Sequence, residues 1–334
     1  MSNPVNKIDT VDKSDMAVGA ARRAWTRRQF VAGGVAAAGG LVFGGARVFG
    51  QSGGTVEKIE ASAAKSPVTV QTLRGGIRVL SGSGGNIAVL PGRDGKLLVD
   101  AGIAVSRKKV RDALDGISGD PITNLINTHW HFDHTSGNAW LHDAGASITA
   151  HEITRQRLSV KHRVEGWRFD FPAAPEGALP TVVFKDDFEM TQNGQRIVLQ
   201  HYKPAHTDCD ISVYFPDLNV LHVGDTLWNG FYPFPDYSSG GTIDGSIEAA
   251  EENVRRTTDN TVVIPGHGPV GNRADLIAFR DMLVAIRSNV AALKTAGRSL
   301  EETIAAKPTA AFDDKWGRFV ITPRAFTELV YQGV

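Results

Sequence analysis

The segment Thr128-His129-Trp130-His131-Phe132-Asp133-His134 constrains this chain more than any other. It follows directly on residues 122–127, a short apolar run that reads as a buried strand. His129 and His131 stand two apart, so in extended chain they point the same way. Two imidazoles converging at a strand end can hold one divalent ion. Asp133 and His134 follow as the chain turns and can serve a second ion beside it. Imidazole and carboxylate suit zinc, and also iron or manganese. With 10 His among 334 residues, three histidines at fixed spacing arise by chance in roughly one chain in a hundred. The segment therefore needs support from elsewhere.

Three later residues give it. His206 follows the apolar residues 198–202 within Lys203-Pro204-Ala205-His206-Thr207. Asp225 follows residues 220–223 within His222-Val223-Gly224-Asp225-Thr226. His267 follows residues 262–264 within Pro265-Gly266-His267-Gly268. Each sits where an apolar strand runs into a loop. Strand ends of one sheet lie along one edge, so these side chains can meet the first cluster. Five histidines and two aspartates suffice for two ions with room for solvent.

The rest of the chain repeats one grammar twice. Strands are expected at 68–73, 77–80, 86–90 and 96–99, separated by Gly- and Pro-rich turns. Ser106 reads as the N-cap of a helix with Val110, Ala113 and Leu114 on one face, ended by Gly116. A further helix is expected at 137–143. In the second half, strands are expected at 196–202, 211–215, 220–223 and 261–264. Helices are expected at 243–256 and 273–295, the latter with Leu276, Phe279, Leu283, Ile286, Val290 and Leu293 stepping by threes and fours. Ser299 with Glu302 forms a capping-box pattern. Pro323 after Thr322 starts a last helix with Phe326, Leu329 and Val330 facing inward. Strands before helices in each half suggest two packed sheets with helices outside.

The ordered set THWHFDH, PAHTDCD, HVGDT and PGHGP resembles the metallo-β-lactamase superfamily over about residues 68–334. The resemblance implies an α+β fold, a four-layer αββα sandwich. It implies a first metal site of His129, His131 and His206, and a second of Asp133, His134 and His267. Asp225 would bridge the two. Asp100, in Leu98-Val99-Asp100-Ala101-Gly102, matches a family aspartate that supports the ligands from behind. The implied cofactor is two zinc ions, with iron or manganese as alternatives. The function that follows is hydrolysis of a small ester, lactone or thioester.

A water shared by two divalent ions loses a proton near neutral pH, because coordination lowers its pKa from 15.7 to about 7. The resulting hydroxide can attack a carbonyl or phosphorus centre. Asp133 is the candidate for orienting it and passing its proton to the leaving group. The loop 228–241 after Asp225 is rich in aromatics. These can line an apolar pocket, with the Tyr232 hydroxyl near the developing oxyanion, or pack the loop down as core. Trp130 and Phe132 are expected to pack behind the ligands. Cys209 is read as a small filler. His142, His151, His162, His201 and His222 have no part in the pattern. A β-lactamase is the runner-up, although the best-known zinc β-lactamases place Cys or Ser where the bridging aspartate falls. An iron-dependent oxygenase or redox protein on the same fold is the alternative of another class. The paired His134 and His267 favour two filled sites over a single iron.

Residues 1–66 are a different material, expected to be largely disordered and distinct from a catalytic domain at 67–334. Thr26-Arg27-Arg28-Gln29-Phe30-Val31 precedes a Gly- and Ala-rich, mildly apolar run to about Phe49, with Arg47 near its end. This resembles a twin-arginine export signal. It implies the twin-arginine machinery as a partner and a periplasmic or secreted location. Small residues at 48–50 and at 61–63 both offer a cleavage point. The apolar run is too short and too Gly-rich for a membrane span. Basic and acidic residues balance at 36 each, so no overall field draws nucleic acid, and a small-molecule substrate is expected. A single cysteine excludes an intramolecular disulfide.

Overall fold

The structure, a computed structural model, describes residues 54–334. Arg27, Arg28 and the apolar run after them lie outside the described residues. The chain opens with helix α1 (Thr55–Lys65), placed in what the sequence suggests is linker. Strands β1 (Thr69–Thr72), β2 (Arg78–Ser81), β3 (Ile87–Leu90) and β4 (Lys96–Val99) form an antiparallel meander. Helix α2 (Arg107–Ile117) then crosses over to β5 (Ile122–Ile126), which runs parallel to β4. Gly116 lies inside α2 and does not end it; the helix stops at Ile117, with Ser118 extended.

Two short helices follow, α3 (Phe132–Thr135) and α4 (Asn138–Asp143), then β6 (Ser147–His151) and α5 (Glu152–Leu158). The hairpin β7 (His162–Val164) and β8 (Phe169–Phe171) stands apart from the main sheets. Strand β9 (Val182–Phe184) completes a seven-stranded sheet in the order β1-β2-β3-β4-β5-β6-β9.

The second sheet has five strands, β10 (Asp187–Gln192), β11 (Gln195–His201), β12 (Ile211–Phe215), β13 (Val220–His222) and β14 (Val262–Ile264), paired in chain order. Its first four strands are antiparallel and β14 joins β13 in parallel. Helix α6 (Ile243–Arg256) supplies the crossover. Helix α7 (Arg273–Thr295) is capped by a reciprocal Asn272–Asp275 box. Helix α8 (Leu300–Ala305) has the Ser299–Glu302 box that the sequence suggests. Helices α9 (Asp313–Trp316) and α10 (Pro323–Gly333) end the chain. Phe326 and Val330 of α10 are buried, while Leu329 is only half-buried.

The two sheets face each other. Val79, Ala88, Leu97 and Val99 of the first pack with Ile197, Leu199, Val213 and Val220 of the second. Period-two alternation sends these side chains inward. Leu98, Leu125 and Ile148 point the other way and bury Val110 and Leu114 of α2 and Leu141 of α4. On the far side, Leu221 and Val263 pack with Ile243, Phe279, Leu283 and Phe326 of α6, α7 and α10. The layers are thus αββα, as the resemblance implies. Among the described residues, no helix is long and apolar enough to cross a membrane.

Candidate metal centre

The crossovers place one edge of the sandwich in charge of chemistry. Strand β4 leads into Asp100, β5 into His129 and His131, β13 into Asp225 and β14 into His267. The loop between β11 and β12 carries His206. His131 is the extended residue before α3, and that single turn turns Asp133 and His134 back into the site. Thr135 Oγ1 donates to the His131 carbonyl at 3.0 Å and braces the turn.

All seven expected ligands meet, in three overlapping groups: His129, His131 and His206; His129, His134 and Asp225; Asp133, His134 and His267. Within each group the ligand atoms lie no more than 4.8 Å apart. His206 Nε2 is 2.8 Å from His131 Nδ1. His134 Nε2 is 3.4 Å from His267 Nε2. Asp225 stands among the histidines, with Oδ1 3.1 Å from His134 and Oδ2 3.3 Å from His267 and 3.5 Å from His206. Asp133 Oδ2 is 3.2 Å from His267 Nε2. Backbone comes in close: a Cβ on Gly266 would fall 1.9 Å from Asp225 Oδ1, and one on Gly85 2.2 Å from the His134 ring. Only glycine leaves those side chains their places.

The residues fit divalent metal. His129 Nε2 and Asp225 Oδ1 face this cluster, are buried and have no hydrogen-bond partner. An orphaned buried polar atom costs about 1–3 kcal/mol, so a cation is the partner their chemistry calls for. The charges agree. Burial opposes ionisation of Asp225, but His267, His134 and His206 outweigh it and hold the carboxyl well below its usual range. Burial likewise opposes the His267 imidazolium, yet Asp225 and Asp133 raise it to about 9; the same carboxylates and Asp100 raise His134. Burial pushes His206 down to about 4 and takes His129 well below its ordinary value, keeping both neutral as ligands must be.

Partners behind the ligands fix their rings. Asp100 sits at φ +67°, a strained value for a non-glycine residue. There its carboxylate accepts from the Thr128 amide at 2.8 Å and from His134 Nδ1 at 2.7 Å. The His206 ring donates from Nδ1 to the Phe234 carbonyl at 2.5 Å. Asp236 accepts from His131 Nε2 at 3.0 Å and from Ser239 Oγ. Trp228 donates its indole N–H to Asp225 Oδ2 at 2.9 Å. The loop of His206 is held by Asp210, which accepts from the Thr207 amide and hydroxyl. Sequence reasoning missed Asp236, although it is the sole acid in the stretch 226–243 after Asp225 and precedes two serines. It missed Trp228 as a partner of Asp225 too.

Tyr232 is a correction. The ring is fully buried and stacks on Phe326 at 4.6 Å. Its hydroxyl donates to Asp313 Oδ1 at 2.9 Å and reaches the Thr309 carbonyl at 3.3 Å. That hydroxyl is committed to α9, so Tyr232 belongs to the core and not to an oxyanion site. Trp130 and Phe132 pack behind the ligands as expected, and Trp130 donates to Ser239 Oγ at 3.1 Å. Cys209 is buried outside all three ligand groups, its thiol pushed up to about 12 by burial. Among the remaining histidines, His151 and His201 stack on each other, His162 reaches Ser239 and the buried His222 accepts from the Gly224 amide.

A narrow cleft of about 30 Å³ touches Asp133, Asp225 and His267 and is walled by Thr55, Ile59, Trp167, Trp228, Phe319 and Ile321. A wider groove of about 700 Å³ shares Ile321 with it and runs past Phe234, Arg168 and Arg324.

Comparison with known proteins agrees with this geometry. Residues 80–267, more than half of the chain, match the family model of the Metallo-beta-lactamase superfamily. A hydroxyacylglutathione hydrolase from Polaromonas sp. (strain JS666 / ATCC BAA-500) is 30% identical over 168 residues, 49% of this chain and 56% of that one. The chain thus spans little more than half the length of that relative. An acyl-coenzyme A thioesterase, MBLAC2, from Bos taurus is 25% identical over 210 residues, 56% of this chain and 74% of that one. The crystal structure of DIM-1 metallo-beta-lactamase superposes with a TM-score of 0.52 at 21% identity, covering 65% of this chain and 97% of the other, a likeness of fold.

Proposed function

Since the chain belongs to the metallo-β-lactamase superfamily, we propose that it is a metal-dependent hydrolase of a small ester, lactone or thioester, with thioesters first. The observation that carries this reading is Asp225, whose carboxylate stands within 3.1–3.5 Å of His134, His267 and His206, between two ligand groups. The hydroxyacylglutathione hydrolase and acyl-coenzyme A thioesterase similarities support the choice of substrate class. His129, His131 and His206 would hold one zinc ion, Asp133, His134 and His267 a second, with Asp225 shared. Ions bound there supply Lewis acidity toward a carbonyl oxygen and acidify water.

The chain's own groups do the rest. Asp133 lies at the cleft, where its Oδ2 can orient the attacking water and carry its proton to the leaving group. Asp100 and Asp236 hold the His134 and His131 rings, and Trp228 holds Asp225, so the site is preorganised. Trp167, Trp228, Phe319 and Ile321 exclude bulk water and strengthen every charge interaction inside. The N-terminal segment supports a second part of the reading, export through the twin-arginine route as a folded protein.

The test combines metal analysis with a panel of thioester, lactone, ester, phosphodiester and β-lactam substrates. Turnover of thioesters, esters or lactones with weak β-lactam cleavage supports the reading. Efficient β-lactam hydrolysis with none of the others overturns it.

A further inference from the structure

Helix α1 stands outside the four layers, yet it closes the cleft at the metal centre. Its buried stripe is Thr55, Val56 and Ala63, with Ile59 half-buried between them. Thr55 and Ile59 lie one turn apart and therefore share a face. That face meets Trp167, Trp228, Phe319 and Ile321 around the space that Asp133, Asp225 and His267 border. Ile59 packs on the same apolar cluster as those two tryptophans.

The helix is anchored, not merely adjacent. Lys109 Nζ donates to the carbonyls of Ala63 at 2.7 Å and Ala64 at 2.9 Å, and Ser106 Oγ donates to Ala63 at 3.0 Å. A cation on the last carbonyls is the favourable arrangement at a helix C-terminus. Val56, 3% exposed, pins the other end into the core. The position of Ile59 is therefore set from both sides. The cleft it borders is narrow, about 30 Å³, and apolar along the α1 side, so a group entering beside Ile59 must be small.

We propose that α1 is the specificity wall of the active site, with Ile59 and Thr55 limiting the acyl side of the substrate to a short apolar chain. The proposal rests on the hydrolase reading for its substrate, and one of its two measurements is independent of that reading. The full chain, loaded with zinc, is compared with Ile59→Ala and Ile59→Trp, melting temperature and metal content being recorded for each. One measurement is kcat/KM for thioesters of one thiol with acyl groups from acetyl to octanoyl. The other needs no turnover: the affinity of straight-chain alkyl hydroxamates from acetyl to octanoyl, read by intrinsic tryptophan fluorescence, to which Trp167 and Trp228 at the cleft contribute.

The native chain is expected to favour the short members. Ile59→Ala is expected to raise the octanoyl-to-acetyl ratio about tenfold, the scale on which an apolar pocket discriminates chain length, and Ile59→Trp to lower it. Hydroxamate affinities should follow the same order. Ratios that move less than about twofold in both variants, with fold and metal intact, overturn the proposal. If thioesters are cleaved with an unchanged ratio, the wall is disproved and the hydrolase stands. If no thioester is cleaved while hydroxamate affinities shift with residue 59, the wall stands and the thioesterase is disproved.

Discussion

Asp236 Oδ2 accepts the Nε2 proton of His131 at 3.0 Å, which leaves Nδ1 as the atom this ring offers the metal centre, 2.8 Å from His206 Nε2. The carboxylate thus selects the tautomer and holds the ring plane. Asp236→Asn keeps an acceptor for the Ser238 amide but removes the charge. Metal affinity and turnover are expected to fall together, by about 10- to 100-fold. Chelator competition alongside steady-state kinetics checks this; a drop in stability with unchanged metal affinity would remove Asp236 from the site.

Tyr232 tests where the aromatic loop divides between core and pocket. Tyr232→Phe leaves the stacking on Phe326 and loses the bond to Asp313. It is expected to lose about 1 kcal/mol of stability, with turnover unchanged. A denaturant midpoint measured beside kcat decides. A large fall in kcat at wild-type stability would return the hydroxyl to catalysis.

Metal content follows from the overlapping ligand groups. Preparation without chelator is expected to give close to two equivalents of zinc per chain, measured by plasma emission. Because the ions bind the folded chain, free zinc at a hundred times its Kd is expected to add about 2.7 kcal/mol per site, and chelation should lower the melting temperature. Stoichiometry that stays near one in excess metal would favour the single-iron alternative.

Asp225 separates the leading substrate class from its runner-up. Asp225→Ala removes one of seven ligands and leaves the Trp228 indole N–H unpaired, so occupancy and activity should fall together. Asp225→Ser is expected to retain metal and shift the balance of activities toward β-lactams. The ratio of thioester to β-lactam turnover in the three proteins is the measurement, and a ratio that ignores residue 225 would show the carboxylate to be no discriminator.

Replacing Arg27 and Arg28 by Lys is expected to leave a folded, metal-binding protein in the cytoplasm, assayed by fractionation. If the exported chain is processed, its new N-terminus is expected before Thr55. The small residues at 61–63 lie inside α1, where Ala63 is buried and its carbonyl is held by Ser106 and Lys109. A peptidase needs extended, accessible chain. Mass spectrometry of the exported form reads the cut; an N-terminus within α1 would also remove Ile59 from the cleft.

The seven residues that gather at the candidate metal centre were legible in the sequence because their signals are local. Two histidines at a spacing of two, a turn that brings Asp133 and His134, and three polar residues at strand ends are each read within a short stretch; that they meet was decided by packing, because β5 lies in the seven-stranded sheet and β11, β13 and β14 in the five-stranded one, not in one sheet as the sequence suggests. The long helices were legible for the same reason: the period of α7 and the Ser299–Glu302 box lie within a few residues of one another. Only the tertiary structure decided what stands behind and over those ligands. Asp236 meets His131 across 105 residues, and no spacing announces such a pair. Tyr232, a candidate for the oxyanion site, could not be placed from sequence because an aromatic ring in a loop serves a pocket and a core equally well, and the choice was made by Asp313 and Phe326, both far along the chain. Helix α1 was hidden because its composition runs on from the segment before it. It becomes part of the site through burial of Val56 and Ala63 and through carbonyls held by Lys109, contacts that exist once the sandwich has formed.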